Sequence, residues 1–169
     1  VVVAGRAGDR ALEQRRAHNN QVITMRAMPL LDLNLDLPKD IDQMEWRKVQ
    51  VIGEYDFANQ VALRNQTLGS EYGFHLVTPL RFSGGVVLVD RGFIPASENA
   101  SPADWSQYDA QGEVKIIGQL RLGDDVEIGG VPEARSGEQT RLEFWNSISV
   151  EGIASQLPYP VLPVFIQPD

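Results

Sequence analysis

Polar and apolar residues alternate in several stretches of this chain, most clearly in a pair of segments joined by glycines. From Gly73 to Phe82, Phe74, Leu76, Leu80 and Phe82 fall on one face and His75, Val77 and Arg81 on the other, the period of two of a half-buried strand. Ser83, Gly84 and Gly85 supply a turn. The return segment Val86–Val89 is apolar on both faces, which predicts a central strand covered on both sides. It runs into Asp90, Arg91 and Gly92, a group that suits either a structural corner or a recognition site.

The same period recurs on both sides of this hairpin. In Trp46–Phe57, Val49, Val51, Tyr55 and Phe57 alternate with Lys48, Gln50, Glu54 and Asp56, and Gly53 interrupts the apolar face, a pattern that predicts a bulge or tight bend. Val61–Asn65 reads as a short strand, and Gly112–Leu122 as a long one with Val114, Ile116, Leu120 and Leu122 inward. VQVIGEYDF (49–57) aligns with VKIIGQLRL (114–122) with glycine at the same phase, Gly53 and Gly118, as a small, sharply coiled barrel or sandwich requires. Leu142–Asn146 and Val161–Gln167 complete the strands, with Pro163 confined to an edge or a strand start because it has no N–H to donate.

Helical signals are fewer. Residues 9–28 carry good helix formers behind a possible Asp9 cap, and Pro29–Pro38 is predicted to be extended. Pro102–Trp105 fits one helical turn, with Trp105 and Tyr108 as lids on the core. Ser149 caps a short helix whose Val150, Ile153, Ala154 and Leu157 share one face and which Pro158 ends. The chain is therefore expected to be a single domain, 1–169, with a helical segment at 9–28 and a β core at 46–167. Its class is mainly β (α+β): an antiparallel barrel-like or sandwich-like sheet of about six to seven strands with an N-terminal helix and a short C-terminal helix.

Composition narrows the chemistry. With 23 acids against 15 bases and a formal net charge of -8, the chain is poorly suited to phosphate contacts, so no nucleic-acid partner is expected. It has no cysteine, which excludes disulfides, thiolate nucleophiles and cysteine-ligated metal centres. No GxSxG elbow, phosphate loop, dinucleotide fingerprint or HExxH is present, so no catalytic residue is assigned. His18 reads as solvated and His75 as a satisfied structural histidine. Arg64, Arg81 and Arg91 are the more informative charges, because a guanidinium on or beside a buried strand holds either a ligand carboxylate or propionate or, as the favoured reading, a structural ion pair with Asp90 or Glu54. Asp124, Asp125 and Glu127 lack the spacing of a calcium loop, and no metal site is assigned.

The ordered segments EWRKVQVIGEYDF, RNQTLGSEYGFHLVTPL, VVLVDRGFIP and FWNSISVEGIASQLPYPVLPVFIQ resemble the surfeit locus protein 1 family of cytochrome c oxidase assembly factors, and LEQRRAHNNQV is similar to the segment after that family's first membrane helix. The resemblance covers roughly residues 10–167. It implies a non-enzymatic domain on the periplasmic or extracytoplasmic side of the cell inner membrane, with membrane helices on both sides outside this chain. It further implies a role in forming the haem a centre of oxidase subunit I, with subunit I or the haem a synthesis machinery as partner. No cofactor is expected in this domain by itself; haem a is a candidate ligand of the full-length protein only. The positions that carry the resemblance are Gly53, Arg64, Tyr72, Gly73, Thr78, Pro79, Leu80, Arg91, Gly92, Pro95 and Trp145. The alternative from the residues alone is an extracytoplasmic small-molecule-binding barrel with a pocket gated by loops 96–111 and 123–140.

Overall fold

The structure, a computed structural model, describes residues 28–29, 42–124 and 141–169. The helix expected over 9–28 and most of the extended stretch 29–38 lie outside these residues. Among the described residues, eight strands form one sheet: β1 (Met28–Pro29), β2 (Lys48–Tyr55), β3 (Val61–Leu68), β4 (Glu71–Phe82), β5 (Gly85–Pro95), β6 (Glu113–Arg121), β7 (Phe144–Trp145) and β8 (Phe165–Pro168). Their order is β1-β2-β6-β8-β5-β4-β3-β7, and a further pairing of β2 with β4 closes β2, β6, β8, β5 and β4 into a five-stranded barrel. The mainly β class expected from the sequence is the observed one. The sheet is not wholly antiparallel, however: β8 pairs with β5, β7 with β3 and β1 with β2 in parallel.

The barrel is filled by its own side chains. Val49 and Val51 of β2, Leu80 of β4, Val87 and Val89 of β5, Leu120 of β6 and Ile166 of β8 meet inside, as expected for so few strands. The opposite faces are also covered. Leu88, Val77 and Phe165 point outward into a second cluster with Trp145 and the helix α1 (Val150–Ala154), so β5 is buried on both sides as its all-apolar run predicts. A third cluster, Phe74, Leu76, Ile94 and Trp105, lies where the β4–β5 hairpin extends past the barrel under the 3-10 helix Pro102–Tyr108. Trp105 is the lid anticipated from the sequence.

Two glycines permit closure. A Cβ on Gly53 would lie 2.1 Å from the Arg81 carbonyl oxygen, and one on Gly118 would lie 2.4 Å from that of Gln167. Gly53 marks no bulge, because the β2–β6 ladder runs regularly through it; its missing side chain lets β4 cross β2 at the seam. Pro79 sits beside this seam, where β4 leaves β3 at Val77 and takes up β2 at Leu80. Its carbonyl accepts from Asp56 N at 2.9 Å, so its donorless nitrogen faces the end of the β2–β4 pairing, where a missing N–H forgoes a single terminal bond.

α1 forms as the sequence predicts. Ser149 Oγ accepts from Gly152 N at 3.1 Å, and Val150 and Ile153 are buried. Gly152 lies against the Trp145 ring, where a Cβ would come within 2.9 Å.

Candidate functional site

The motif residues converge on β4 between Gly73 and Pro79, where both neighbouring strands bulge. Against β5, the ladder pairs His75 with Phe93 and then Val77 with Asp90, so one extra residue of β5 is accommodated. Against β3, it pairs Leu63 with His75 and Gln66 with Gly73, leaving one extra residue of β3. The backbone conformations that bulges need are supplied by Gly92 (φ 101°) in β5 and Asn65 (φ 63°) in β3. Asp90 Oδ1 accepts from Gly92 N at 3.0 Å and closes the β5 bulge. The Asp-Arg-Gly group is thus a designed irregularity that re-aims Arg91.

Arg91, like Arg64 and Arg81, makes no ion pair with Asp90 or Glu54 among the described residues, contrary to the sequence expectation for these three arginines. Its Nη1 donates to Gln60 Oε1 at 3.4 Å and its Nη2 to the Tyr108 carbonyl. The guanidinium carbon lies 5.0 Å from the ring centroids of both Tyr55 and Phe57. Burial lowers the Arg91 pKa from its ordinary value, while Tyr55 and Asp109 act in the other direction. Asp90 is taken instead by His75, whose Nδ1 lies 3.0 Å from Oδ1 and 3.1 Å from Oδ2. The bond to Asp90 raises the His75 pKa against the opposing effect of burial. His75 is the satisfied structural histidine anticipated.

The remaining motif residues belong to the same framework. Thr78, fully buried, donates to Gln60 Oε1 at 3.0 Å, so one amide oxygen joins β4 to Arg91. Arg64, at the β3 bulge, donates from Nε to Asn146 Oδ1 at 3.1 Å. Tyr72 is half exposed and its hydroxyl donates to Asn65 Oδ1 at 3.1 Å. Gly73 faces Ile94 and Phe93, with a hypothetical Cβ 2.1 Å from the Ile94 carbonyl oxygen. Its ladder partner Pro95 accepts from Asn99 Nδ2 at 2.8 Å. Trp145 is buried under α1, with Nε1 donating to the Leu142 carbonyl at 3.2 Å.

Sequence reasoning missed two supporting centres. Asn99, fully buried, accepts from Trp105 Nε1 and Gln107 Nε2 and donates to the Tyr108 hydroxyl, fixing the loop that reaches Arg91. Its only outward sign in the sequence is an asparagine six residues ahead of Trp105. Asp56 Oδ2 accepts from the Tyr159 hydroxyl at 2.6 Å, Asn59 Nδ2 at 2.7 Å and Arg81 Nη2 at 3.2 Å. Burial tends to raise the Asp56 pKa, but these donors outweigh it and the net shift is downward. Burial and Asp56 together push Tyr159 up to about 12.

These bulges, the stacked Arg91 and the half-buried Asp56 carboxylate hold loops onto a small barrel, and the class they define is a β-barrel domain whose motif side chains bond to the protein's own groups. A family model described as the SURF1 family matches residues 9–169, and the chain belongs to that family. It is 29% identical over 101 residues to surfeit locus protein 1 of Mus musculus, covering 50% of this chain and 33% of that protein. A SURF1-like protein of Monosiga brevicollis is 28% identical over 141 residues, covering 76% of this chain and 51% of the relative. With surfeit locus protein 1 of Homo sapiens the identity is 26% over 102 residues, 50% of this chain and 34% of that protein. The chain thus spans between a third and about half of the relatives it matches.

Proposed function

We propose that this chain is the extramembrane domain of an assembly factor for cytochrome c oxidase, acting without catalysis on the formation of the haem a centre of subunit I. Family membership across residues 9–169 carries this reading. Its partners are subunit I or the haem a synthesis machinery. Its place is the periplasmic side of the cell inner membrane, held by membrane helices outside the chain. Among the described residues no helix is long and apolar enough to cross a membrane. The motif positions support a scaffold role, because Arg64, Thr78, Arg91 and Trp145 spend hydrogen bonds on the protein's own groups.

The test is deletion of the full-length gene in a host with no second copy, with haem a read from the reduced spectrum of membranes and oxidase activity from oxygen uptake. Both are expected to fall, and a strain with normal haem a and normal oxidase rejects the reading. Titration of the 169-residue chain with haem a separates it from the ligand-binding alternative. The packed barrel interior supports an outcome of no saturable one-to-one binding by this chain alone; saturable binding favours the small-molecule barrel.

A further inference from the structure

The end of β6, helix α1 and the segment leading into β8 enclose an open groove of about 660 Å³. Its floor is apolar, formed by Leu122, Ala154, Val161 and Pro163, and Asp42, Asp124 and Glu151 stand around it. All three carboxylates are on exposed residues, and among the described residues none makes an ion pair and the lining includes no lysine or arginine.

The walls are fixed before anything binds. Gly123 lies directly on the Ile148 backbone, where a Cβ would be 2.5 Å from the carbonyl oxygen, and Asp124 N donates to that oxygen at 2.8 Å. α1 is capped by Ser149 and anchored by the buried Val150 and Ile153. Tyr159, also in the lining, is tied to Asp56. A preformed surface loses little freedom on binding, which leaves more of the contact energy as affinity.

We propose that this groove receives a basic amphipathic segment of a partner protein. The apolar floor takes the aliphatic face of such a segment, and the carboxylates take the lysines or arginines beside it. The same charges repel a ligand bearing carboxylates or phosphates. The partner's identity rests on the assembly-factor reading, whereas the groove's chemistry does not.

The experiment titrates the 169-residue chain with a synthetic amphipathic helix of leucine and lysine and with its leucine and glutamate counterpart, following anisotropy. The lysine peptide is expected to bind and the glutamate peptide not. The double variant Asp124→Asn, Glu151→Gln should weaken the lysine peptide about fivefold. Because the chain is acidic overall, the control is Glu54→Gln, Glu113→Gln, which removes the same charge from a cross-strand pair elsewhere on the barrel and should change binding by less than about twofold. Equal weakening by both pairs, no weakening by the groove pair, or binding of the glutamate peptide overturns the proposal. Ala154→Trp, which fills the floor, should also weaken binding; the exposed carboxylate variants decide the matter should that variant not fold. Failure here leaves the gene-deletion result intact, so the two readings fail separately.

Discussion

Arg91 sets its charge against two neighbouring rings and gives its hydrogens to an amide oxygen and a backbone carbonyl, an arrangement that uses the planar fork and not merely the charge. Lysine cannot span these contacts. Arg91→Ala is therefore expected to destabilise by about 2–4 kcal/mol and Arg91→Lys by nearly as much, measured by urea unfolding. A lysine variant of wild-type stability that has lost oxidase assembly would make Arg91 a contact to a partner. His75 gives a pH test. Its folded pKa is raised by Asp90, so the stabilisation is full below the unfolded value and is lost as pH rises through the folded value. The gap in melting temperature between wild type and His75→Gln should be larger at about pH 5.5 than at about pH 8.5, and a constant gap refutes the charged pair. Gly73 is set by space: an aspartate side chain would enter the Ile94 carbonyl and the Phe93 ring, so Gly73→Asp should fail to fold.

Among the elements, the glycines sort into two physical kinds. Gly53 and Gly118 lie at barrel seams, and Gly53→Ala or Gly118→Ala should cost about 3 kcal/mol or more, because backbone carbonyls have nowhere to move. Gly69 has φ 61° and open space around it, so Gly69→Ala should cost only about 1 kcal/mol. Thermal unfolding of the three variants checks the order, and equal losses would show that the seams are not tight. The matched phase of Gly53 and Gly118 was readable in the sequence because strand periodicity exposes any gap in an apolar face. The β4–β5 hairpin and α1 were readable for similar local reasons: a period of two with a glycine turn, and a serine cap ahead of an i, i+3, i+4 face. The bulges were not, since one extra residue alters register without altering composition. The ion pair with Asp90 or Glu54 expected among Arg64, Arg81 and Arg91 fails at Arg91 for that reason, the bulge aiming it at Tyr55, Phe57 and Gln60 instead of along the strand.

At the scale of the whole molecule, closure depends on the last strand to be made. β8 lies between β5 and β6, pairing in parallel with Leu88 and Val89 and antiparallel with Gly118 to Arg121. Periodicity cannot reveal such a pairing, because the apolar run of β8 is compatible with either direction and either neighbour. The Asp56–Tyr159 bond, spanning 103 residues, is equally invisible in a local pattern. Ile166 sits inside the barrel with Leu80, Val87, Val89 and Leu120, while Phe165 packs outside with Leu88 and Ile153, so this short strand binds two cores together. Without it, β5 and β6 present open edges and both clusters meet water. A chain ending at Leu162 should therefore bind a hydrophobic dye, lose cooperative unfolding and aggregate, whereas Gln167→Ala, at an exposed position on the same strand, should leave the transition cooperative. A truncated chain that still unfolds in one sharp transition would mean that β2, β4, β5 and β6 close a core by themselves, and that β8 only lines it.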